Sequence, residues 1–289
     1  ELPAVLSTET DSARLREAWE ASKQIGPVVA EQIRALVRLR NASARRMGYP
    51  DHYRMSLRLA EIDEDRLFAV LDELARLTDE PFRAAKAELD ARLAARVGVA
   101  VADLRPWHYQ DPFFQRAPQV DGDRFDDLFA GRDLEALAIR TFDGLGMDVR
   151  DILARSDLYA RDGKDQHAFC TDIDREGDVR ILCNLEPNLR WAETILHELG
   201  HAVYDKYMNR ELPFLLREPA HTLMTEAIAM LMGRLPLKAD WLARVVGLPA
   251  DAVAPIAARA QAHLRLGQLV FVRWALVMTH FERDLYTNP

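Results

Sequence analysis

The stretch Ile195-Leu196-His197-Glu198-Leu199-Gly200-His201 constrains the chain more than any other, because it makes sense only as one unbroken helix carrying two imidazoles on one side. Residues four apart on an α-helix share a face, so His197 and His201 can aim ring nitrogens at a single ion about 2 Å from each. Glu198 sits one step round and can reach a water at that ion. The flanks are apolar on the side a helix would bury, and a buried Glu between two histidines is costly unless a cation compensates it. A metal ion is therefore expected on this helix.

A catalytic zinc takes three protein ligands and keeps a fourth position open. No His follows Gly200 at the spacing that would supply the third ligand from the same segment. In the run Thr222-Leu223-Met224-Thr225-Glu226-Ala227-Ile228-Ala229-Met230, Glu226 is the sole acid among mostly apolar residues, and a lone carboxylate there needs a cation. Glu226 is the expected third ligand to one Zn2+. Glu218, placed in a loop by the following Pro219, and His221, at the start of the helix, are the competing donors.

Around this motif the pattern is helical. From Thr10 to about Val97 apolar residues recur three and four apart, as in Leu67, Val70, Leu71, Leu74 and Leu77. Breaks are expected at Gly26-Pro27 and Gly48-Tyr49-Pro50, with Asp63 capping one helix and Thr78 another whose first turn holds Pro81. The segment Arg105–Phe114, rich in aromatics and bounded by prolines, reads as a loop or crossing between lobes. Helices are expected again over 134–145 and 149–154. Asn188 is expected to cap a long helix to about Met208, and another helix is expected from about 220 to 235.

One segment carries β pattern. His167–Ile173 and Val179–Leu185 flank a polar loop with Gly177, which suits a hairpin. If the turn centres on Glu176-Gly177, Cys170 lies opposite Cys183. Two reduced cysteines packed as small apolar residues are nevertheless expected, since nothing else in the sequence indicates an oxidising compartment.

A net charge of −8 argues against a general nucleic-acid binder, which needs a basic surplus to displace counterions from phosphate. No apolar run approaches the roughly 20 residues of a membrane-spanning helix, so no membrane partner is expected. The chain opens on Glu1 without the layout of a signal peptide. A cytoplasmic location is the first expectation, with a periplasmic or secreted one if a leader has been removed. Both ends read as trimmed.

The stretch HELGHAVYDKYMNRELPFLLREPAHTLMTEAIA resembles the active-site region of zinc peptidases whose third ligand is a Glu on the following helix, the gluzincins. It is similar to the angiotensin-converting-enzyme family and its bacterial relatives, and more distantly to the thimet-type oligopeptidases. The resemblance implies a mainly α, two-lobed zinc-peptidase fold with a small β-hairpin or sheet beside the zinc helix. In that picture 1–105 form a helical N-terminal lobe, a channel wall or lid, and 106–289 hold the zinc-site portion of a catalytic domain. His167 and Ala168 resemble the His-Ala pair with which that family lines its substrate site. The family's oxyanion-stabilising Tyr and His would fall beyond Pro289, which implies a fragment of the catalytic domain. Two departures stand out: Met230 occupies the place where animal members carry an Asp that orients a zinc His, and the first cysteine follows His167 instead of preceding it. Glu193, Asp205 or a backbone carbonyl are then the candidates to support the zinc histidines.

The activity this implies is zinc-dependent hydrolysis of short peptides, of dipeptidyl carboxypeptidase or oligopeptidase type, with Glu198 as general base. One hairpin strand, 167–173 or 179–185, is expected to pair with the peptide main chain. The alternatives are a thermolysin-like or aminopeptidase-type enzyme with the same ligands, and a non-catalytic zinc- or peptide-binding protein or inactive fragment. Oligomeric state is not legible.

Overall fold

The computed structural model describes residues 2–119, 125–219 and 221–289. In chain order the helices are α1 (Leu2–Thr8), α2 (Ser12–Lys23), α3 (Ile25–Arg46), α4 (His52–Leu59), α5 (Glu64–Val97), α6 (Leu134–Asp143), α7 (Arg150–Arg155), α8 (Leu189–Lys206), α9 (Thr222–Gly233), α10 (Ala239–Trp241) and α11 (Ala250–Thr287). Strands β1 (Phe169–Asp172) and β2 (Val179–Leu182) precede α8 and form a two-stranded antiparallel sheet. The protein is thus mainly helical with one small sheet. It divides into two compact units, Glu1–Gly122 with Arg265–Pro289, and Asp123–Leu264. Among the described residues no helix is long and apolar enough to cross a membrane.

Two helices of the first unit run through places where a break is expected. Gly26-Pro27 falls in the first turn of α3, where the N–H that Pro27 lacks would have had no helical partner anyway. The break comes instead at Gln24. α5 passes through Pro81 without stopping. Thr78 does not cap a new helix: its hydroxyl donates to the Leu74 carbonyl at 2.6 Å, and Arg273 donates to the Ala75 carbonyl and the Thr78 hydroxyl. These donors satisfy acceptors just upstream of the proline. Asp63 caps α5 as expected, accepting from Arg66 N at 2.8 Å.

The second unit holds the largest core. Phe129, Phe142, Ile152, Ile195 and Leu199 are fully buried there, with the sheet contributing Val179 and Ile181. Burying five such side chains is worth on the order of 10 kcal/mol before chain entropy is charged. α8 begins where Asn188 accepts from Trp191 N at 2.9 Å. Its apolar face, Ala192, Ile195, Leu199 and Ala202, packs into this core.

The hairpin turn centres on Arg175-Glu176, one residue earlier than Glu176-Gly177. Cys170 consequently pairs with Ile181, and Cys183 lies beyond the end of β2. The shift follows from the loop chemistry: Asp174 accepts from the backbone of Glu176 and Asp178, while Arg175 and Gly177 adopt positive φ. Both cysteines are free thiols. β2 is flanked on its other side by Asp157 and Leu158, so its two edges are both paired, and β1 is the outer strand.

α8 and α9 approach so closely that Gly200 leaves no room for a Cβ and Gly233 leaves little. A Cβ on Gly200 would sit 2.8 Å from Ala229 Cα, and one on Gly233 would sit 3.3 Å from His197 Cβ. By contrast a Cβ on Gly267, inside α11, would meet nothing within 4 Å. Gly200→Ala should therefore destabilise the protein by about 1–3 kcal/mol through overpacking. Gly267→Ala should stabilise it by about 0.5–1 kcal/mol through helix propensity alone. Urea unfolding of both variants checks this, and equal behaviour would contradict the close approach.

Candidate metal centre

α8 brings His197 and His201 to one face, and α9 carries Glu226 across from them. Glu226 Oε2 lies 3.6 Å from His197 Nε2, and its Oε1 lies 3.5 Å from His201 Nε2. Both separations are too long for good hydrogen bonds. They suit a shared ion: two donors about 2.1 Å from one tetrahedral centre are about 3.4 Å apart. The two imidazoles meet nearly edge-on, with centroids 4.9 Å apart and planes at 82°. Among the described residues His197, His201 and Glu226 form a group that could hold a metal ion.

The electrostatics prepare the donors. Burial holds both histidines below their ordinary pKa, assisted at His197 by the His201 charge and opposed at each by Glu226. Neutral imidazoles are the form that ligates. Glu198 is buried beside them, and burial with the Glu226 charge pushes its carboxyl up to about 7. A carboxyl poised there can both take and return a proton near neutral pH.

The three residues and Glu198 open on a cleft of about 410 Å³, whose other walls include Ala168, Phe169 and Cys170 from the sheet side and Thr225 from α9. Ala168 therefore reaches the cleft. His167 does not: it is exposed, with its backbone N–H donating to Asp165 at 2.9 Å. Glu218 is drawn away by Arg175, with which it pairs, and His221 stands at the N-terminus of α9 outside the donor group. Two further ion pairs, Arg217 with Glu176 and Arg210 with Asp172, tie the α8–α9 connection to the hairpin.

Asp205 lines the same cleft, one turn beyond His201. Its four-residue step from His201, repeating that from His197, is the sequence signal that places it on the ligand face. Among the described residues no hydrogen bond joins its carboxylate to either histidine; Cys170 Sγ lies 4.0 Å from that carboxylate. A second His-containing arrangement, His108 with Ser12 Oγ at 2.8 Å, faces the wrong way for base catalysis. His108 Nδ1 accepts from Arg105 N, so the proton is on Nε2 and is donated to the serine.

Compared with protein-family models and with curated protein sequences, the chain matches none. The functional reading therefore rests on the residues themselves.

Burial, followed by the Asp172 charge, pushes the Asp205 carboxyl from 3.8 up to about 6. A carboxyl whose folded pKa lies above its unfolded one disfavours the folded state when ionised. That penalty is absent below about pH 4, grows between there and pH 6, and is complete above it. Discounted for partial exposure, it is on the order of 1 kcal/mol. Asp205→Asn should raise the Tm of the metal-free protein at pH 8 by about 2–4 °C more than at pH 4. A Tm gain that is the same at both pH values would contradict the assignment.

Proposed function

We propose that the protein is a zinc peptidase acting on short peptides, similar in its site to gluzincins of the angiotensin-converting-enzyme type. The observation that carries the reading is the convergence of His197, His201 and Glu226 at tetrahedral-edge spacing, with Glu198 buried beside them. Two histidines and one carboxylate leave one position open on a four-coordinate ion, which is the catalytic and not the structural pattern of zinc. Bound zinc supplies a Lewis acid that activates water and polarises a carbonyl.

The chain's own residues supply the rest. Glu198 accepts the proton of the attacking water and carries it to the leaving amine, a transfer worth about 10²–10⁴ in rate. β1 offers the edge for an extended substrate, since β2 is paired on both sides and Ala168–Cys170 already wall the cleft. Of the two strands considered from sequence, the geometry favours 167–173. Main-chain pairing positions a peptide bond with little demand on side chains, which suits a broad range of short peptides.

Elemental analysis of the purified chain after zinc loading should find close to one zinc per chain, lost on Glu226→Ala. Absence of metal from the loaded parent would end the zinc reading. Glu198→Gln should retain the zinc and lose about 100-fold or more of peptide hydrolysis. Undiminished turnover in zinc-loaded Glu198→Gln would remove Glu198 as the base. Stoichiometric zinc with no cleavage of any short peptide would favour the non-catalytic alternative.

A further inference from the structure

The cleft holds an acid that neither the metal group nor the fold uses. Its lining includes the carboxylates of Glu198, Asp205 and Glu226 and no Lys or Arg. A divalent ion offsets two of these three negative charges, which leaves the lining with an excess of negative charge when all are ionised. Asp205 is the one of the three that neither belongs to the donor group nor adjoins one of its members in sequence.

Among the described residues no cation lies within ion-pair distance of the Asp205 carboxylate. The nearby arginine is directed elsewhere. Arg210 donates to the Asp172 carboxylate at 3.0 Å, to the Arg175 carbonyl at 3.0 Å and to the backbone carbonyl of Asp205 at 2.6 Å, so it reaches the main chain of Asp205 and not its carboxylate. Arg175 is paired with Glu218, and Arg217 with Glu176. The thiol of Cys170, at 4.0 Å, is a weak donor and burial holds it in its neutral form. A half-buried carboxylate that its neighbouring guanidinium offsets only in part, without an ion pair, is unfavourable for folding alone, so its presence in a cleft points to a ligand that supplies the charge.

We propose that Asp205 is a specificity-determining residue that receives an ammonium or guanidinium group of the substrate, so that the cleft selects peptides bearing positive charge near the bond at the metal. This rests on the peptidase reading above. Four residues of helix rise about 6 Å from His201 to Asp205. An extended peptide advances about 3.4 Å per residue. The cationic group therefore belongs on a residue adjoining the one at the metal or next but one to it, whether as a Lys or Arg side chain or as the free N-terminus.

The test uses the full chain, zinc-loaded and carrying Glu198→Gln so that peptides are held without being cut. Pentaglycine blocked at both ends, with one Lys at its second, third or fourth position, is titrated calorimetrically against the same peptides carrying norleucine. Free and N-acetylated pentaglycine form a further pair, which separates an α-ammonium source from a side-chain source. At least one cationic ligand should bind about tenfold more tightly than its neutral partner. Asp205→Asn should bring that ratio to about one, and Asp205→Glu should restore part of it. Equal affinities for cationic and neutral ligands in the parent, or a ratio untouched by Asp205→Asn, overturn the proposal. The same comparison with 6-aminohexanohydroxamate and hexanohydroxamate needs the metal but no peptide groove. If peptides bind without charge preference, Asp205 fails and the peptidase reading survives. If peptides do not bind but the amino-hydroxamate is preferred through Asp205, the cation site stands and the peptidase reading falls.

Discussion

Everything at the candidate metal centre depends on how closely α8 and α9 approach. Three donors from two helices meet at one point only if the helix axes come near enough for a Glu side chain to span the gap. Gly200 against Ala229 and Gly233 against His197 allow that approach, because any Cβ at either glycine would press on the neighbouring helix. The cost is the helix propensity lost at Gly200 and Gly233, roughly 1 kcal/mol for each when compared with alanine. The core offsets it, since Ile195 and Leu199 on the opposite side of α8 are fully buried. The glycine between the two histidines is therefore part of the donor geometry, although it carries no donor.

The charges near the site follow one arrangement. Arginines of the hairpin and of the α8–α9 connection are spent on carboxylates and carbonyls there: Arg175 on Glu218, Arg217 on Glu176, Arg210 on Asp172. These pairs hold a long connection against the sheet, and they also keep positive charge off the cleft lining. A guanidinium beside Glu226 would compete with a metal for the same oxygens. Burial holds the two histidines in their neutral form against the pull of Glu226, and with the arginines committed elsewhere no guanidinium competes with an ion for that carboxylate.

Elements fixed by local chemistry were legible in the sequence, and those decided by distant partners were not. Asn188 and Asp63 cap helices because a side-chain oxygen meets its own helix within one turn. The ligand face of α8 follows from spacing alone, and Glu226 stands out because a single acid in an apolar run has no other use. Helix continuity at Pro81 was not legible, since it involves Arg273, almost two hundred residues along the chain. Nor was the hairpin register: it turns on whether Arg175 accepts a positive φ, and a shift of one residue at the turn moves Cys170 from Cys183 to Ile181. For Asp205 the sequence shows a place on the ligand face. It cannot show that Arg210 passes the carboxylate by and bonds the backbone instead.

The three carboxylates of the cleft differ in what each costs the fold. Glu226 faces two imidazoles and is relieved by any ion they share. Glu198 is the most buried, and burial with the Glu226 charge raises its pKa, a cost that an ion shared by the neighbouring histidines would relieve. Asp205 has neither relief. It is ionised at neutral pH in a half-buried place, with Asp172 and Glu218 adding negative potential and Arg210 only partly offsetting it. A chain selected for stability alone would place a neutral residue there. That the unrelieved acid lies on the ligand face, one turn from a metal-holding histidine, locates the unmet charge where a substrate would lie.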